Sequence, residues 1–155
     1  MRRREVIVRA FRSGVGIAGL ALCSCSLDTP VSSQPVLINI EVDKTTIAIG
    51  DSAVFMVSVR NISNAAVSLH GQSSCLTYIE AFDGQDIRVF GTNDSCSGQV
   101  TTVPIEPGAT ARMSMSWDGR SSAGARVSAG LYTVRAVAVL LTQAYAGPAA
   151  SIRVE

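Results

Sequence analysis

The chain carries a single histidine, His70, no basic run beyond residue 12, and no apolar run of bilayer length. Each absence excludes something. As a general base His70 would need a nucleophile and an orienting acid close by, and no spacing around it supplies them. It therefore reads as a strand-end or loop residue, and the chain as a non-enzyme. Five of the thirteen basic residues precede residue 13, with one acid among them; from Cys25 onward the remaining eight face the other eleven acids, a net charge of −3. Nucleic-acid affinity rests on phosphate neutralisation, so no nucleic-acid partner is expected. Charged residues make up only 16% of the chain, yet 47% is apolar. That composition buries a core and is not that of a disordered chain.

What is present begins with a leader. Arg2 to Arg12 form a basic region and Val15 to Leu22 a short apolar one, well below the roughly 20 residues of a membrane-spanning helix. Leu22-Cys23-Ser24-Cys25 follows and resembles a bacterial lipobox, with Leu three before the lipidated Cys and a small residue just before it. Cys25 fits with Leu22 and Ser24; Cys23 is the alternative, with Leu22 in the small-residue position. Either is followed by Ser rather than Asp, which resembles the signal for release to the outer membrane in a Gram-negative cell. Residues 1–25 are thus expected to be a lipoprotein signal peptide and lipobox, and the chain an exported one held in the cell envelope by an N-terminal lipid anchor. Residues 26–35 are polar, with Pro30 and Pro35, and read as a tether.

After Pro35 the period becomes two. Val36, Ile38, Ile40 and Val42 alternate with Leu37, Asn39, Glu41 and Asp43, and Phe55, Val57 and Val59 repeat the pattern. Ile47 and Ile49 mark a short edge segment. Ala66 to Leu69, Leu76 to Phe82, and a return through Ile87, Val89 and Phe90 follow, the last two joined by an Asp83-Gly84 hairpin signal. Val100 to Ile105 ends at Pro107-Gly108. Met113, Met115 and Trp117 alternate with Arg112, Ser114 and Ser116. Gly130 to Leu141 is the longest apolar stretch, and Gly147-Pro148 reads as a turn before Ile152 and Val154. Helical spacing of three and four never persists. The pattern predicts one domain over residues 36–155, an all-β, immunoglobulin-like antiparallel β-sandwich of about seven to nine strands.

Two cysteines, Cys75 and Cys96, lie beyond the leader. A tight turn at Asp83-Gly84 places Cys75 about two positions from Cys96, a gap that a bulge or looser end closes. Export puts both thiols where disulfides form, so a Cys75–Cys96 bridge is expected. Two Cys and one distant His are too few for a zinc site, and no cofactor is expected. Asp83 and Asp86 read as turn-setting residues rather than paired catalytic carboxylates, and Asn61 and Asn93, each in an Asn-X-Ser pattern, as turn residues. Trp117 and Tyr132 are assigned to the core.

Residues 53 to 140 resemble the BsuPI-type intracellular proteinase inhibitor domain. The matching runs are Val54-Phe-Met-Val-Ser-Val-Arg-Asn61, Ser68-Leu-His-Gly-Gln72, Tyr78-Ile-Glu-Ala-Phe-Asp-Gly84, Ile105-Glu-Pro-Gly108, Met115-Ser-Trp-Asp118 and Val127-Ser-Ala-Gly-Leu-Tyr-Thr-Val134. The export signal, the Cys pair and the lack of a Trp in the hairpin's return strand depart from that pattern. The resemblance implies an immunoglobulin-like fold and a protein partner, a serine protease in the first instance. A binding loop would be Gly91 to Gly98 or Asp118 to Ser128, the latter with Arg120 and Arg126. The alternative function is an assembly module of the envelope with no protease target. Target, interacting face and oligomeric state are left open.

Overall fold

Residues that alternate apolar and polar satisfy a sheet's two faces at once, and the chain is folded on that rule. The computed structural model describes residues 34–72, 75–141 and 143–155. The expected leader, with Cys23 and Cys25, and the tether as far as residue 33 lie outside the described residues. The strands β1 (Val36–Val42), β3 (Ala53–Asn61) and β8 (Thr110–Trp117) form one antiparallel sheet in the order β1-β3-β8. The second sheet holds β2 (Thr46–Ile47), β10 (Gln143–Val154) and β9 (Gly130–Leu140) in that order. On the far side of β9 stand β4 (Val67–Gln72), paired with β7 (Val100–Ile105), and β5 (Thr77–Phe82), paired with β6 (Arg88–Gly91).

The two pairs beyond β9 are halves of one broken ribbon. Leu69 of β4 faces Leu140, and β5 faces the same strand from Ala138 to Thr133. Between β6 and β7 the chain coils into a short 3-10 helix, Thr92–Ser95. The two breaks are joined by the Cys75–Cys96 disulfide, with Cα atoms 5.7 Å apart. The expected bridge therefore forms, and the gap is closed by a register shift between Ala81 and Phe82 and by the 3-10 turn. Counting β4 with β5 and β6 with β7 as single strands turns ten described strands into eight, within the expected range.

The partition is that of an immunoglobulin-like sandwich, in which strands A, B and E share one sheet and C, F and G the other. Here β1, β3 and β8 take the first set; the β4/β5 ribbon, β9 and β10 take the second. A further mark of the fold is Tyr132, near the start of β9, whose hydroxyl donates 2.7 Å to the Ser128 carbonyl four residues upstream. The core fills the space between the inner faces. Phe55, Val57 and Val59 of β3, Trp117 of β8, and Ile79, Val134, Ala136 and Ile152 of the facing sheet are all buried. Trp117 stacks on Phe90 at 5.8 Å and meets Tyr132 edge-on at 5.4 Å, so the expected core assignment of both residues holds. Among the described residues, every buried core residue lies between Val36 and Val154.

Two expectations are corrected. Gly147-Pro148 is not a turn: β10 runs straight through it, with a register shift between Ala146 and Ala149. A Cβ at Gly147 would stand 2.6 Å from Ile38 Cγ2, so glycine is needed there for β1 to pack against β10. The proline then sits at the irregularity, where its missing N–H breaks no ladder bond. The reversal lies instead between Leu140 and its partner Gln143. The Asp83-Gly84 turn is also looser than a two-residue hairpin. Asp83 closes a wider loop, its Oδ1 accepting from the amides of Gln85 and Ile87, and the left-handed residue is Asp86 at φ 61°.

The strand directions give the sandwich two poles. Val36, Asn61, Val67, Ile105, Thr110, Leu140 and Gln143 end or begin strands at one of them, where the chain enters at Pro35. The loops 43–52, 83–87 and 118–129 lie at the other.

Candidate functional site

At the pole remote from Pro35, the loop after β8 is built from its base upward. Trp117 closes the strand and donates its indole N–H to the Arg120 carbonyl at 2.7 Å, which fastens the loop base to the core. Gly119 turns the chain with φ 71°, and a Cβ there would press on Val154 at 3.3 Å. From there the loop is a small hairpin. Arg120 bridges to Arg126, the Val127 amide donates to Gly119, and the Gly124 and Ser121 amides donate to Ser121 and Ala125.

The hairpin does not stand free. Its Ser122 amide donates 3.1 Å to the Val89 carbonyl on the edge of β6, and its Oγ accepts from the Gly91 amide at 3.2 Å. The Ser122 hydroxyl also donates to Asp94 Oδ2 in the 3-10 helix. Loop 118–128 and segment 91–98, the two candidate binding loops, are thus one bonded ridge. An edge strand that would otherwise offer unpaired backbone groups is covered in the process.

Arg88 is the electrostatic centre of that ridge. Its guanidinium reaches Glu80 at 2.8 Å, Asp94 at 2.7 Å and Asn93 Oδ1 at 2.6 Å. The hydrogen bond from Arg88, with the one from Ser122 next, holds the Asp94 carboxyl below its usual range against the opposing effect of burial. The same bond to Asp94 raises the Arg88 pKa, so the cation persists. Gly91 leaves room for this arrangement: a Cβ there would collide with the Arg88 guanidinium and the Asn93 carboxamide.

The two arginines singled out from sequence share the hairpin but differ in setting. Arg120 is half-exposed and restrained, its Nε 3.3 Å from Asp118 and its Nη1 donating 2.9 Å to the Gly124 carbonyl. Arg126 is partly buried, and its Nη2 is enclosed without a hydrogen-bond partner. Within segment 91–98, residues 92–95 coil into the 3-10 helix. Sequence reading missed Arg88, Asp94 and Ser122, whose contacts span up to 33 positions and leave no local pattern. His70 lies on β4, with its Nδ1 3.0 Å from the Thr102 hydroxyl. Among the described residues no group of three His, Cys, Asp or Glu is placed to hold a metal.

The same pole bears a cleft of about 400 Å³ between Asp83–Gln85 and Ser128–Tyr132, beside the exposed Leu131 and with exposed Ile87 in the adjoining hairpin. The arrangement sets a preorganised polar ridge next to apolar side chains.

No family model matches the sequence, and no curated protein does. Solved structures do match in fold. The sporulation control protein Spo0M of Bacillus subtilis aligns with a TM-score of 0.52 at 10% identity, over 79% of this chain and 50% of that one. The alkylpurine DNA glycosylase AlkC of Pseudomonas fluorescens, solved on DNA containing an abasic site analog, aligns with a TM-score of 0.51 at 10% identity, over 80% of this chain and 31% of that one. This chain therefore spans half or less of either protein. At such identity the likeness extends to the β-sandwich and no further.

Proposed function

We propose that the chain is a non-catalytic, protein-binding lipoprotein of the bacterial envelope, and that its working surface is the ridge formed by loop 118–128 and the Arg88–Asp94 cluster. One observation carries the reading. Ser122 bonds the loop to β6 and to Asp94, so the surface is held in shape before any partner arrives. A partner then loses less entropy on ordering it. The ridge also stands at the pole remote from Pro35, where a domain tethered through Cys25 or Cys23 would display it outward. The resemblance to the BsuPI-type inhibitor makes a serine protease the first partner class, with Arg120 the basic side chain most open to a protease cleft.

The test is a titration of oxidised residues 26–155 against a panel of serine proteases. The expected outcome is stoichiometric inhibition of at least one, weakened by Arg120→Ala, by Ser122→Ala and by reduction of the Cys75–Cys96 bridge. A demonstrably folded domain that inhibits none of them sinks the inhibitor reading. Co-purification with envelope proteins through the same ridge would then mark an assembly module.

A further inference from the structure

We infer that the opposite pole, where the chain enters at Pro35, rests on the lipid surface. The inference adds to the lipid-anchor reading and rests on it. Residues 26–35 separate Cys25 from β1, and ten residues span at most about 33 Å when fully extended. The tether therefore holds Pro35 within about 33 Å of whatever surface carries the anchor.

That pole is built to meet an apolar medium. Leu141, in the connection between β9 and β10, is 65% exposed, and Ile62, just past β3, is 56% exposed. Leu37, the second residue of β1, is 57% exposed. The Ile62 amide donates 2.9 Å to the Pro35 carbonyl, which fixes Ile62 at the point of chain entry. Leu141 is also in the left-handed region, at φ 51°. A bulky side chain there is strained where Gly or Asn would sit at ease, so folding alone does not select it. Beside it opens an apolar groove of about 340 Å³ lined in part by Pro35, Ala66, Val67, Leu140, Leu141 and Tyr145. Arg60, opposite Leu37 across the β1–β3 ladder, supplies a cation for lipid phosphates, with Glu106 in the β7–β8 turn the acid of the same pole.

Exposed Ile49, Ile87 and Leu131 lie at the other pole. Strands of seven to twelve residues hold the poles at least roughly 20 Å apart, so a surface touching Leu141 does not touch these. Of the two apolar poles, the one at Pro35 stands at the end of the tether and so meets the surface with the least tether extension, which favours it.

The experiment uses residues 26–155 with an N-terminal His tag, bound to nickel-chelating vesicles of phosphatidylcholine and phosphatidylglycerol. This attachment does not depend on natural lipidation. Leu141→Trp places an indole at the proposed contact and Gln85→Trp places one at the remote pole; Trp117 is buried and gives a constant background. Brominated phosphatidylcholine should quench the indole of Leu141→Trp and leave that of Gln85→Trp nearly unchanged. Equal quenching, or none in either, overturns the inference. If Leu141→Trp does not fold, Ile62→Trp takes its place with the same expectations. The mass of the mature N-terminus from a lipidating host separately decides the anchor, so failure of the anchor and failure of the docked pole are read on different instruments.

Discussion

Asn61 shows how one residue organises a pole. It ends β3 fully buried, and its carboxamide is completely used. Nδ2 donates 2.8 Å to both the Ala65 and Ile105 carbonyls, and Oδ1 accepts from the amide and hydroxyl of Ser63. Its backbone meanwhile bonds to Ala109 and Gly108. One side chain thus ties the 61–65 loop to the turn that carries the chain from β7 across to β8. Removing it strands buried carbonyls away from water, which costs about 1–3 kcal/mol for each group left unpaired. Asn61→Ala should therefore lower stability by about 2–4 kcal/mol in urea unfolding; a loss under about 1 kcal/mol would show that water reaches the freed carbonyls. Sequence reading recognised Asn61 as the strand's end and as a turn residue. It did not reveal the buried hub, because Ile105 is 44 positions away and nothing local to Asn61 announces it.

Among elements, loop 118–128 depends on the ionisation of Asp94. The folded-state pKa of that carboxyl is depressed, so the stabilisation it confers is complete above the ordinary aspartate value of about 4 and lost as pH falls through the lowered value. Acid then removes the Arg88 and Ser122 bonds together, while β-pairing elsewhere persists. Amide exchange at Ser122 and Gly124, compared at about pH 5 and about pH 3, should show the hairpin loosening on acidification beyond the intrinsic pH effect on exchange. Asp94→Asn should show it loose at both values. Unchanged protection at low pH would mean that the Ser122 backbone bond to Val89 suffices. The strands themselves were largely legible, since alternation over β1, β3 and β8 sets burial directly. The failures share a cause: Gly147-Pro148 and Asp83-Gly84 are turn signals in local chemistry, and packing against Ile38 in the one case and an Asp83-capped wider loop in the other override them.

For the whole molecule, the order of assembly follows from where partners lie in the chain. Hairpin-like pairs such as β5 with β6 and β9 with β10 join near neighbours. The β2 strand is different: Thr46 and Ile47 pair in parallel with Arg153 and Val154, more than a hundred positions on, and the Glu155 amide donates 3.0 Å to the Ile47 carbonyl. Such non-local pairing closes a long loop before any contact rewards it, so the domain should fold slowly for its size, in milliseconds to seconds. Ile47 is fully buried and packs on the core at this closing seam. Ile47→Ala should cost about 2–4 kcal/mol, and because the seam forms after the transition state the loss should appear in the unfolding rate. In a chevron plot the unfolding arm rises while the folding arm stays put, giving a φ-value near zero. A slowed folding arm would place the β2–β10 closure in the nucleus instead, and the two sheets would then come together around their chain ends rather than around the β9 hairpins.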